Sequence, residues 1–280
     1  MQNSRFITAV LLAVALTATA TTFANDVPKR VISINLCTDQ LAMMLAAPGQ
    51  LHSVSYLAID PRGSAMAEEA QNYEINHGLA EEIYLLKPDL VVAGSFSTRA
   101  TIDMLKRLDI PVEVFKPAYG LDEVRDRIHQ MGGVLGREEA SQALVRDYNH
   151  RLDILRVVTE HRPNAALYYA NGYTSGDRTL AGQILFAAGF ENVAVKAGYS
   201  VGGILPLEVL TMLKPEALIT GLRYPGASRS EEILDHPIIK TLQEVGTNGA
   251  ISDQDWICGT PYVLRAIEEL NALRRKMTEN

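Results

Sequence analysis

Gly78–Gly94 reads GLAEEIYLLKPDLVVAG, and Leu205–Gly221 reads LPLEVLTMLKPEALITG, the same phrase displaced by 127 positions. Glu81 aligns with Glu208, Leu86 with Leu213, Lys87-Pro88 with Lys214-Pro215, and Gly94 with Gly221. Each copy is one physical unit: a short helix with an acid in its first turn, a Lys-Pro stop, an apolar β-rich run, and a glycine at the carboxyl end of that run. Helix-to-strand turns in α/β proteins often converge on such a pattern. The aligned glutamates and the repeated Leu-Lys-Pro favour two related lobes.

The segments around both copies alternate in the same way. Arg30–Asn35 is a short strand, Thr38 can cap a helix over Asp39–Ala47, and Pro48-Gly49 stops it. Leu51–Tyr56 is a strand and 60–77 is polar and irregular; a helix follows at Arg99–Leu108 and a strand at Pro111–Phe115. The middle of the chain differs. One helix is expected over Leu121–Leu135, and after Gly136 a second over Arg137 to about Glu160, with Ala140, Leu144, Tyr148, Leu152 and Leu155 at helical spacing. Such a rod would be about 36 Å long. Alternation then resumes, with a strand at Ala165–Ala170, helices at Thr179–Ala188 and Pro206–Leu213, strands at Ala217–Thr220 and Ala250–Ser252, and a last helix over Pro261–Lys276. The expected fold is α/β: two Rossmann-like lobes with central, mainly parallel sheets, joined by one long α-helix. The lobes would be 25–136 and 162–280, with the connecting helix at 137–161.

Residues 1–24 have the form of a secretory signal: Arg5, then the apolar run Phe6–Leu16, then small residues leading to cleavage near Ala24. No cysteine stands at the cleavage position for a lipid anchor, so a periplasmic protein is expected. The 280-residue chain carries 33 acidic and 26 basic residues, a net charge of −7, and has no basic run, which argues against nucleic acid as a partner.

The order RVISINLCTDQLAMML, LKPDLVVAG, long helix, LPLEVLTMLKPEALITG resembles the periplasmic binding proteins for vitamin B12 and iron-siderophore complexes, over essentially all of the mature chain. The resemblance implies a ligand held between two lobes. It also implies, as partner, an ABC transporter's transmembrane permease dimer with its ATPase. The ligand would be a small-molecule metal chelate containing cobalt or iron, with a corrinoid ahead of an iron-siderophore or haem; no resident cofactor is expected, and the protein would be a monomer. One glutamate per lobe in that family pairs with permease arginines, and Glu81 and Glu208 match those positions. On residues alone, each would be a solvated acid suited to a helix start.

Ligands of parallel α/β sheets bind beyond the carboxyl ends of the strands. Tyr56, Phe96, Tyr173, Tyr224 and Trp256 gather at those ends, and Tyr73 and Tyr199 lie in irregular segments nearby. In a chain only 6% aromatic, these seven are candidate ligand contacts, because aromatics offer broad apolar faces with a polar handle. The bland alternative is core or rim packing, and of Tyr168 and Tyr169 at least one is expected in the core.

Cys37 follows the first strand and Cys258 the last, so both are expected near the cleft. They could form a disulfide closing a loop of some 220 residues, one thiolate could ligate the ligand's metal, or both could be buried free thiols. A free transition-metal binder would need several converging His and carboxylate ligands; of the histidines only His77 is expected near the cleft, and His129, His150 and His161 look solvated. A Cys37-dependent hydrolase would need His77 as its base. No nucleophile elbow, metalloprotease or phosphate-loop motif is present, so neither an enzyme nor a metal site is the preferred reading. Arg62, Arg99, Arg178 and Arg223 lie near candidate loops, which leaves an anionic chelate open.

Overall fold

The computed structural model describes residues 27–223, 226 and 228–278; the expected leader over 1–24 and the expected ligand contact Tyr224 lie outside the described residues. The first lobe holds strands β1 (Val31–Ser33), β2 (Leu51–Ser55), β3 (Glu74–Asn76), β4 (Leu90–Gly94) and β5 (Val112–Phe115), with helices α1 (Leu36–Leu45), α2 (Ala67–Ala70), α3 (Ala80–Leu85), α4 (Arg99–Arg107) and α5 (Leu121–Leu135). Helix α6 (Glu138–Leu155) leads to the second lobe. There follow β6 (Asn164–Leu167), β7 (Tyr173–Ser175), α7 (Leu180–Ala187), β8 (Glu191–Asn192), α8 (Val193–Lys196), β9 (Gly202–Ile204) and α9 (Leu207–Leu213). The lobe closes with β10 (Ala217–Gly221), α10 (Pro237–Val245), β11 (Thr247–Ile251) and α11 (Val263–Thr278).

Both sheets are parallel. The first has the order β3-β2-β1-β4-β5 and the second β11-β10-β6-β8. The sequence β2-β1-β4-β5 in one sheet is therefore matched by β8-β6-β10-β11 in the other. A separate antiparallel pair joins β7 to β9.

The repeat survives to the level of backbone angles. Strands β4 and β10 begin and end at the same offset of 127. The lysine before each proline is left-handed, Lys87 at φ 50° and Lys214 at φ 47°. That conformation is costly for a residue with a Cβ, and its recurrence at equivalent positions marks the same helix-to-strand turn built twice.

Along β1, β4, β6 and β10 alternate residues face opposite ways, as a period of two requires. Val31, Val92, Leu167 and Ile219 point into one large core that also takes Ile128 and Met131 of α5, Tyr148 and Leu152 of α6, and Leu264 and Ile267 of α11. Ile32 and Val91 face a second cluster with Ile83 and Leu105, and Ala166 and Leu218 a third with Leu210 and Ile239. The lobes thus share the central core through α5 and α6, and each keeps a cluster of its own on its outer face. Tyr148, fully buried, donates its hydroxyl to the Leu121 carbonyl at 3.0 Å and pins α6 to the start of α5.

Several expected boundaries move. The connecting helix ends at Leu155 rather than near residue 160, which shortens the rod to about 27 Å. Val157, Val158 and Thr159 are β-branched and poor helix formers, and the Val157 amide is claimed by the Ala187 carbonyl at 2.9 Å. The cap of α1 is Asn35, not Thr38. Asn35 Oδ1 accepts from the Cys37 amide at 3.1 Å, so the helix starts three residues earlier than expected. The polar stretch 60–77 contains α2 and the edge strand β3, whose three residues are too few to show alternation.

Candidate ligand-binding cleft

The carboxyl ends of β1, β4 and β5 open onto a cavity of about 270 Å³. Asn35 to Thr38 follow β1, Gly94 to Phe96 end β4, and Phe115 to Ala118 end β5; Arg127 reaches in from α5, and Ile257 and Gly259 close the space from the second lobe. A side chain on Gly259 would overlap that of Ala118, so only glycine allows the two lobes to approach this closely here. Gly94 has a related role. A Cβ there would lie 2.7 Å from Asn35 Cγ, and its absence lets Asn35 fold back to cap α1.

Cys37 and Cys258 are joined in a disulfide with their Cα atoms 5.1 Å apart, and no cysteine is free. The bond runs from the first turn of α1 to the segment before α11. It ties the lobes together at the wall of the cavity and removes both thiols as metal ligands or nucleophiles. The loop that carries Cys258 is braced by Asp255, whose Oδ1 accepts from Arg265 Nε at 2.6 Å, while the Arg265 guanidinium lies 4.3 Å over the Tyr262 ring.

The expected aromatic contacts lie in different surroundings. Phe96 is 83% exposed at the rim of the cavity. Trp256 is half-buried and stacked on Tyr169 with ring centroids 5.2 Å apart; its Nε1 donates to Asp253 Oδ1 at 3.1 Å. Tyr56, half exposed, stacks on His77 at 5.7 Å, and His77 is in turn held by Glu82 at 3.2 Å. Tyr173 is also about half exposed, on β7. Tyr73 packs against the central core and Tyr199 against the outer cluster of the second lobe. Tyr168 and Tyr169, of which at least one was expected in the core, are both buried. Burial pushes the acidity of the Tyr169 hydroxyl well below that of an ordinary phenol, against the opposing pull of Ser175.

Glu81 and Glu208 are exposed in the first turns of α3 and α9. His129, His150 and His161 are exposed, His161 beyond the end of α6 rather than on it. Among the described residues no group of three or more His, Cys, Asp or Glu side chains could hold a metal ion. Of the arginines expected near the cleft, Arg62 pairs with Asp60 and Arg223 with Asp235. The cations that do line the cavity are Lys116 and Arg127, neither of them among the expected site residues. Lys116 directly follows a β-strand, which is a legible signal; Arg127 lies within a helix and becomes visible only when α5 packs beside α1.

Behind the cavity wall, Asp39 is wholly buried on α1. Its carboxylate accepts from the Ser55 amide at 3.1 Å and the Ser55 hydroxyl at 2.5 Å. Burial pushes this carboxyl up to about 6, against the opposing pull of hydrogen bonds from Ser33 and Ser55.

Two parallel sheets of matching strand order, a shared helical core and a cleft at the strand ends define a two-lobed solute-binding fold. The family profile of periplasmic binding proteins matches residues 31–203, and the chain belongs to that family. A cobalamin-binding protein of Halobacterium salinarum is 25% identical over 73% of this chain, which spans 56% of that relative's length. A vitamin B12-binding protein of Vibrio parahaemolyticus is 24% identical over 91% of this chain and 94% of its own. The solved periplasmic heme-binding protein RhuT from Roseiflexus sp. RS-1 in apo form superposes with a TM-score of 0.71 at 18% identity, covering 88% of this chain and 97% of RhuT.

Proposed function

We propose that the protein is the periplasmic substrate-binding component of an ABC importer, which captures a metal chelate between its lobes and hands it to a permease dimer with its ATPase. The observation that carries this reading is the cavity at the strand ends of the first lobe, closed by Ile257 and Gly259 of the second and bordered by exposed Phe96. Such a cavity with its exposed aromatic rim suits part of a bulky ligand that has an apolar face and few polar anchors. A corrinoid comes first because three relatives are named for cobalamin or vitamin B12; ferric siderophores and haem follow. Secretion, with a leader removed near Ala24, belongs to the same proposal.

Docking would use the internal repeat. Glu81 and Glu208 sit at equivalent positions, and four residues on, Leu85 and Met212 are exposed at equivalent positions too. Two matched surfaces, one per lobe, suit a partner with two-fold symmetry, and the carboxylates would supply orientation. Titration with cyanocobalamin, haemin and a ferric hydroxamate, followed by Trp256 fluorescence and thermal shift, tests the ligand; no response to any of them sinks the chelate reading. For docking, E81A/E208A is expected to bind ligand as the parent does while losing stimulation of the permease ATPase.

A further inference from the structure

We infer that the cavity is an anion subsite: Lys116 and Arg127 receive a negatively charged oxygen group, such as a carboxylate or phosphodiester, carried by the ligand. The inference rests on the cleft being where the ligand binds and is independent of which chelate it is.

The cavity's charge runs against that of the chain. The whole sequence has 33 acidic residues to 26 basic, yet the residues lining this space include Lys116 and Arg127 and no acid. Neither cation has an ion pair or hydrogen bond among the described residues, and Arg127 Nε is buried without a partner. Arg127 is drawn inward by its place on α5, between the buried Val124 and Ile128. Lys116 follows β5 and is exposed. The first turn of α1, Leu36 to Thr38, lines the same space, and its peptide dipoles add positive potential there. A buried guanidinium nitrogen with no acceptor favours any group that brings one, and a planar guanidinium suits carboxylate and phosphate oxygens.

Size limits what enters. At about 270 Å³ the cavity falls below the usual range of whole small-molecule sites, about 300–1,000 Å³. It admits one arm of a ligand, with the chelate's body left outside against Phe96. Among chelates, cobalamin offers a phosphodiester and haem offers two carboxylates. Cobinamide and haem dimethyl ester lack those anions and keep the macrocycle.

The test uses the mature protein with Arg127→Gln, Lys116→Gln and the charge-conserving Arg127→Lys. Citrate and pyrophosphate, as small anions alone, are titrated first. Saturable binding is expected in the parent and roughly ten- to hundredfold weaker binding in Arg127→Gln, the usual range for losing a charge-assisted hydrogen bond. Arg127→Lys is expected to restore part of it. No saturable response in the parent, or unchanged affinity in both Gln variants, overturns the subsite. If Arg127→Gln does not fold by circular dichroism, Lys116→Gln, altered at an exposed position, decides. The parent is then titrated with cyanocobalamin against dicyanocobinamide, and with haemin against its dimethyl ester. A preference for the anionic member of one pair identifies the source of the anion, and equal affinity within both pairs overturns the assignment even where citrate binds. Binding of citrate with no binding of any chelate retires the chelate reading and leaves the subsite standing.

Discussion

Asp39 has no solvent exposure, and its acidity carries a consequence for stability. Its folded-state value of about 6 lies above the ordinary 3.8, so between those values the native state holds the proton more tightly than the unfolded chain does. Stability from this group is therefore present at low pH and falls as pH rises from about 4 through about 6, by up to about 3 kcal/mol. Asp39→Asn keeps the shape and can still hydrogen-bond Ser55. It is expected to flatten the difference between urea midpoints at pH 4 and pH 7 relative to the parent; an identical pH profile in both proteins would count against a raised Asp39. The two aligned glycines should respond unequally. Gly94→Ala drives a methyl into Asn35 and should cost about 1–3 kcal/mol through the lost cap of α1 and local strain. Gly221→Ala meets only Tyr169 Cδ1 at 3.8 Å and should stay within about 0.5 kcal/mol. Denaturation midpoints of the pair would expose the asymmetry, and equal losses would refute it.

At the scale of elements, the Lys-Pro stops after α3 and α9 each force a lysine into the left-handed region. Glycine adopts that conformation without a Cβ penalty but enters with a larger unfolded-state entropy. Lys87→Gly and Lys214→Gly are each expected to raise stability by up to about 1 kcal/mol, measurable as a rise in thermal midpoint; a fall in both would mean that the lysine side chains make contacts worth more than the strain. The same scale shows where boundaries escape sequence reading. The helix starting at Leu36 was hidden because Leu36-Cys37 looks like the end of a strand, and only Asn35, seated against Gly94, shows that the cap lies earlier. Strand β3, with glutamate and asparagine at its ends, has no propensity to announce it and exists because β2 offers an open edge. The start of β11, Thr247-Asn248-Gly249, is similarly supplied by pairing with β10 rather than by its own residues.

For the whole molecule, the Cys37–Cys258 bond is the feature with the longest reach. It closes a separation of 221 residues, and in the chain-entropy model contributes up to about 5 kcal/mol. Reduction, or the double variant C37S/C258S, is expected to lower the denaturation midpoint and to raise amide exchange in α1 and in the Trp256–Gly259 segment; equal midpoints for the oxidised and reduced forms would remove its role as a tether. With the shared core through α5 and α6, the bond gives the lobes a second link, which restricts hinge motion more than a single helix would.

The sequence by itself determined the alternation of strand and helix, the two related lobes and the long central helices. Those follow from local patterns: period-two and period-3.6 apolar spacing, Lys-Pro stops and a repeated phrase. It also placed both cysteines at strand ends, close enough to suggest a bridge. Tertiary structure alone decided which aromatic stands at the rim of the cavity and which packs on the core, because Phe96 and Tyr73 look alike until their neighbours are assembled. It also decided that Lys116 and Arg127, eleven residues apart in the chain, line one cavity, since that meeting depends on how α5 packs beside α1 and the end of β5, and no local pattern records the packing of one element on another.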